Sequence, residues 1–155
     1  MLNEGTAMVE RAFDGLYWPA ILVAGVGTFV LGGVWYQALF GRLWVRLHGY
    51  TEAQQAEIRA KRPPGLFFGG MILGYTALAC GVAVVAGVAG ASSVTDALAL
   101  GVLLWLVMVL GSGFTTWLAR GDHLGTLLID SAYQLVFSIG MSLIVVLWTH
   151  RNPVE

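Results

Sequence analysis

Charge is what this chain has least of. Only 11% of its 155 residues are charged, against about 25% in a soluble globular domain. Eight Lys+Arg stand against nine Asp+Glu, so there is no basic face for nucleic acid. With 57% hydrophobic residues, the chain is also far too apolar to be disordered. Cysteine is nearly absent: Cys80 alone excludes an intramolecular disulfide and any multi-cysteine metal site, and within its apolar run it reads as a small core residue. The three histidines, His48, His123 and His150, flank apolar segments without metal-ligand spacing and read as interfacial. There is no Ser/His/Asp or Cys/His set, no pair of carboxylates and no phosphate loop. These absences point away from an enzyme, and from any cofactor or metal.

What the chain has instead is long uncharged runs. Between Asp14 and Arg42 lie 27 residues without a charge, between Arg62 and Asp96 another 33, and between Asp96 and Arg120 another 23. A last apolar stretch, Leu124 to Thr149, contains one charge, Asp130. About 20 apolar residues in a helix cross the hydrocarbon core, and no alternating pattern suggests a β-barrel. The expectation is an all-α polytopic membrane protein forming a single domain over 1–155. It is a bundle of four transmembrane helices at about 17–40, 65–89, 97–119 and 124–149. Residues 1–16 read as a short polar lead-in. The first span is no cleavable signal, because its flank is acidic and no small-residue cleavage site follows. Tyr17, Trp18, Trp44 and Trp148 sit near span ends, as an interfacial aromatic belt does.

Topology follows from arginine and lysine. The 41–64 loop holds Arg42, Arg46, Arg59, Lys61 and Arg62, and the turn after the third span holds Arg120; the other side has only Arg11 and Arg151. The bias puts the loop in the cytoplasm and both termini outside. Within the loop, Arg42, Leu43, Trp44, Arg46 and Leu47 suit a short amphipathic helix on anionic headgroups. Gly49 stops it. Thr51 with Gln54 then forms a capping box for a polar helix through about Ala60, ended by Pro63-Pro64. That second helix is read as a solvated charged helix, with partner docking as the functional alternative. The Arg120-Gly121-Asp122 tripeptide is read as a helix stop at Gly121 and a helix cap at Asp122, not as an adhesion motif.

The first span reads Phe29-Val30-Leu31-Gly32-Gly33-Val34-Trp35-Tyr36, followed by Phe40-Gly41, Trp44, Gly49 and Thr51-Glu52; the fourth contains Ile129-Asp130-Ser131-Ala132-Tyr133-Gln134-Leu135. This order resembles a bacterial family of four-span membrane proteins catalogued as domain of unknown function 1761. The resemblance covers nearly the whole chain from about residue 17, and the Gly-Gly-x-Trp-Tyr…Phe-Gly…Trp string is its most specific part. The family often has Gly-Tyr-His where this chain has Ala132-Tyr133-Gln134. The resemblance implies the four-span fold and a membrane location, and no known reaction. Internally, Val30-Leu31-Gly32-Gly33 echoes Val109-Leu110-Gly111-Ser112, and Gly74-Tyr75-Thr76 echoes Ala132-Tyr133-Gln134, as a duplicated hairpin would.

In lipid, helices associate through close packing of small residues. Gly32, Gly33, Gly65, Gly69, Gly70 and Gly74 are therefore the expected packing positions, and a leftover glycine face would suit a homo-oligomer. The fourth span carries Thr126, Asp130, Gln134, Ser138 and Ser142 at spacing four, one helical face that must point inward. Asp130 lies six residues in from Leu124, about 9 Å at helical rise. Counting to the same depth on the other spans reaches Val34 beside Gly33, Trp35 and Tyr36, Met71 beside Gly70 and one turn from Tyr75, and Gly113 flanked by Ser112 and Thr116; Tyr133 and Gln134 follow Asp130 itself. This layer is the candidate polar site. It suits a structural or accessory subunit of a larger membrane complex in the bacterial inner membrane, with Asp130 hydrogen-bonded to Tyr36, Tyr75 or Thr116 and with membrane lipid as the other partner. The alternative is a small proton- or cation-coupled transporter using Asp130.

Overall fold

A computed structural model describes residues 15–151 together with Thr6, Ala7, Glu10 and Phe13. Arg11, most of the lead-in and the side chain of His150 lie outside the described residues. Among the described residues, four helices are long and apolar enough to cross a membrane: α1 (Trp18–Leu39), α4 (Pro64–Ala89), α5 (Val94–Arg120) and α6, whose span is Leu124–Thr149 within Leu124–Arg151. Two short helices, α2 (Gly41–Leu47) and α3 (Glu52–Ala60), fill the loop between α1 and α4. Among the described residues there is no strand. The outside is apolar: Leu66, Leu73, Val107, Leu110, Leu118 and Leu128 each expose more than 60% of their surface. Water does not tolerate so much contiguous apolar area, whereas hydrocarbon does. This is a membrane protein.

The helix ends follow local chemistry. Pro64 opens α4 at a position whose N–H has no intrahelical partner. Gly90 and Gly121 close α4 and α5 with φ of +65° and +68°, a conformation without steric cost for glycine. Thr51 and Gln54 form a reciprocal capping box on α3. Ser93 and Asp96 form another on α5, so Asp96, which interrupts the uncharged runs, lies inside the helix as its third residue. At the start of α6 the cap comes from His123, whose Nδ1 accepts from the Gly125 N–H at 3.0 Å. That corrects the expectation for Asp122. The imidazole reaches the second N–H of the helix directly.

Helix α6 is the hub. It packs against α1, α4 and α5, while α1 pairs with α4 and the only substantial long-helix neighbour of α5 is α6. Tyr133, Phe137, Met141, Val145 and Val146 of α6 form the spine of the core, meeting Ile21 and Ala24 of α1 and Ala79 and Val82 of α4. Thr126, Ser138 and Ser142 of the polar stripe are buried as well. Two helices are not α-helical throughout: Val34–Leu39 in α1 and Val109–Gly113 in α5 wind as π-helix. The widened turn is visible in the Phe40 N–H bonding the Trp35 carbonyl five residues back, at 2.8 Å. Such insertions redirect the side chains that follow and concentrate at functional sites.

The close approaches fall on other glycines than those the small-residue spacing suggests. Gly33, Gly65, Gly69, Gly70 and Gly74 have nothing within 4 Å of where a Cβ would sit; the last four are exposed, and Gly33 is half-buried beside open space. Of the six expected positions only Gly32 meets a neighbour, the Tyr133 hydroxyl 2.8 Å from its would-be Cβ. The tight crossings are at Gly25, whose would-be Cβ falls 2.8 Å from Thr76 Cα on α4, and at Gly101, whose would-be Cβ falls 2.7 Å from Ile139 Cα on α6. A small-xxx-small spacing marks a flat face but not which way it points. Gly101→Leu should therefore force α5 off α6 and cost about 1–3 kcal/mol. Gly70→Leu should melt within error of wild type in detergent. Equal melting of the two variants would show that the α5–α6 crossing is not where backbone contact is made.

Candidate functional site

Three helices meet at Asp130. The π segment of α1 carries Tyr36, α6 carries Asp130, and α2 folds back so that Trp44 reaches the same point. Tyr36 Oη donates to Asp130 Oδ1 at 2.7 Å, and Trp44 Nε1 donates to the same oxygen at 2.9 Å. Both donors are half-buried. The Tyr36 and Trp44 rings meet edge to face, with centroids 5.8 Å apart. No hydrogen bond reaches Asp130 Oδ2 among the described residues.

A second knot lies one turn deeper. Tyr133 Oη is 3.2 Å from the Thr28 carbonyl and 3.0 Å from Tyr75 Oη. A carbonyl can only accept, so Tyr133 donates to Thr28 and accepts from Tyr75. The two tyrosines of the internal echo thus meet hydroxyl to hydroxyl. The Tyr133 ring packs edge to face on Tyr36 with centroids 5.2 Å apart, joining the two knots. On the α5 side, Trp105 Nε1 donates to the Ser131 carbonyl at 2.9 Å.

Between α5 and α6 a polar cleft of about 230 Å³ opens onto Asp130, lined also by Ser112, Thr116, Trp117, Arg120 and Gln134. Ser112 Oγ is engaged within its own helix, donating to the Met108 carbonyl at 2.9 Å. Trp117 Nε1 and Gln134 Oε1 are buried without a hydrogen-bond partner among the described residues. A small polar guest could bridge a donor and an acceptor so placed. Three or more His, Cys, Asp or Glu side chains do not gather anywhere among the described residues, so the cleft offers no multidentate metal site of that kind.

The sequence-derived residues thus divide. Tyr36 is on Asp130; Tyr75 and Tyr133 bond each other instead; Ser112, Thr116 and Gln134 share the cleft with the carboxylate. Sequence position puts Trp44 in the interfacial belt; the structure adds a partner there, since its indole N–H is spent on Asp130. The flanking Arg42 and Arg46 hide this role, since they advertise a surface helix. By contrast, Tyr17 and Trp148 do come together near the opposite end, with ring centroids 6.4 Å apart.

A sequence model of the family described as Protein of unknown function (DUF1761) matches residues 19–146. The chain belongs to this family. No curated protein and no solved structure matches significantly. In this DUF1761 member the string that carries the resemblance is the wall of the site. Gly32 leaves room for Tyr133, Trp35 packs on Phe40 with centroids 4.8 Å apart, and Tyr36 and Trp44 hold Asp130. Gly41 is needed because the Tyr36 carbonyl, displaced by the π turn, presses where a Cβ would sit. Asp130→Leu should cost about 1–3 kcal/mol for each donor left without its acceptor. Asp130→Asn keeps an oxygen for both donors and should melt close to wild type. Unfolding of the two variants in detergent checks this, and a wild-type melt for Asp130→Leu would mean the two hydrogen bonds contribute nothing.

Proposed function

We infer that the protein is a non-enzymatic structural or accessory subunit of a membrane assembly in the bacterial inner membrane. The observation that carries this reading is how Asp130 is used. A single carboxyl oxygen takes donors from α1 and from α2, so the half-buried acid fastens a surface helix onto the membrane helices instead of presenting itself to a reactant. Tied down at Trp44, α2 and the α3 that follows it form a platform at one membrane face, suited to a homo-oligomer or a larger complex. Extracted in mild detergent from its native membrane, the chain should migrate well above monomer size. Migration at monomer size would overturn the subunit reading.

The clustering of Arg42, Arg46, Arg59, Lys61, Arg62 and Arg120 supports a cytoplasmic loop 41–64 with both termini outside. With Cys80→Ala in place, a cysteine introduced at Ala53 should resist a membrane-impermeant maleimide in intact cells and react after lysis. Labelling of intact cells would invert the topology.

One observation favours a second reading, a small proton- or cation-coupled transporter. Asp130 lines a polar cleft, and its Oδ2 receives no donor among the described residues. In proteoliposomes under a potassium diffusion potential, proton flux above empty vesicles that disappears in Asp130→Asn would replace the subunit reading. Flux equal to empty vesicles supports the subunit.

A further inference from the structure

On the far side of the Tyr36–Trp44 pair from the cleft, two depressions adjoin. One is an apolar groove of about 370 Å³ between α1, α2 and α4, walled by Phe29, Phe67, Phe68 and Met71 and bounded by Tyr36 and Trp44. Gly33 also lines it, with open space where its Cβ would be. The other is a basic hollow of about 770 Å³, lined by Arg42 and Arg46 of α2 and by Gln55 and Arg59 of α3. In both helices the two residues stand four apart and so share a face. Tyr36, Gln37 and Val45 line both depressions, so the two adjoin across these side chains.

The arginines are free. Arg42, Arg46 and Arg59 are exposed, and none has an ion pair or hydrogen bond among the described residues. The nearby acid Glu57 is already held by Lys61 at 2.6 Å. Three uncompensated guanidiniums at the end of the membrane helices suit phosphate oxygens, which they can bind in bidentate fashion. The adjoining groove has aromatic and methionine walls and runs along α1 and α4 into the apolar zone. Charge at one end and hydrocarbon at the other match an amphiphile with an anionic head.

We propose that this composite site holds one anionic phospholipid of the leaflet beside the basic loop, its phosphate on Arg42, Arg46 and Arg59 and an acyl chain in the α1–α4 groove. The site stands independently of the subunit reading, because it needs only the single chain.

The test is native mass spectrometry of the detergent-purified full chain titrated with phosphatidylglycerol, or with phosphatidylcholine of the same acyl chains. Phosphatidylglycerol should bind at least about tenfold more tightly, and each arginine replaced in Arg46→Gln and Arg59→Gln should weaken it about fivefold. Gly33→Leu fills the groove from a position with open space around it. It should leave the lipid-free melting temperature unchanged and weaken phosphatidylglycerol binding. Inorganic phosphate at the same concentration should not displace the lipid. Equal binding of the two lipids, or unchanged phosphatidylglycerol binding in the arginine variants, overturns the proposal. Displacement by inorganic phosphate, or full binding by Gly33→Leu, overturns the acyl-chain half of it and leaves a site for phosphate alone.

Discussion

A carboxylate placed among apolar helices must find donors, because hydrocarbon supplies none. In this protein that demand falls on Asp130, and the arrangement at the basic end of the bundle follows from it. Tyr36 reaches the carboxylate from a π-helical segment, and that turn pushes the Tyr36 carbonyl into the space left by Gly41. Trp44 reaches it from a helix whose arginines would otherwise hold it at the surface. One half-buried carboxyl group thereby ties α1, α2 and α6 to a common point, which the apolar contacts alone would not specify.

The same knot separates two environments. On one side Asp130, Gln134 and Thr116 face a polar cleft between α5 and α6. On the other, Tyr36 and Trp44 border an apolar groove that opens toward Arg42, Arg46 and Arg59. Each of the two aromatic residues spends its one polar hydrogen on the carboxylate and borders the groove with the rest of its ring system. Amphipathic aromatics are well fitted to such a boundary. Placing α6 at the centre suits this design, since the acid must sit on the helix with neighbours on most sides, and α6 packs against the other three.

Much of this was written in local sequence. Four uncharged runs of sufficient length dictate four membrane helices, because crossing hydrocarbon needs only length and apolar composition. Gly90, Gly121 and the Thr51–Gln54 box act within a few residues of themselves, so their effects are readable without a partner. Asp130 stands out for the same reason: a charge within an apolar run is conspicuous whatever surrounds it. The helical rise then places Tyr36 near its depth.

What the tertiary structure decided is everything that depends on rotation about a helix axis. Gly70 and Gly101 are equally small, yet only Gly101 lies against a backbone. Lipid and protein interior are similarly apolar, so a membrane helix can be apolar all round, and its sequence does not say which face meets protein. Tyr75 matches the depth of Asp130 but bonds Tyr133, because depth fixes a layer and not a direction. The role of Trp44 is invisible locally because its partner is 86 residues away. A residue's own neighbours report whether it can sit at the interface. Only the packed chain brings the acceptor that draws it in.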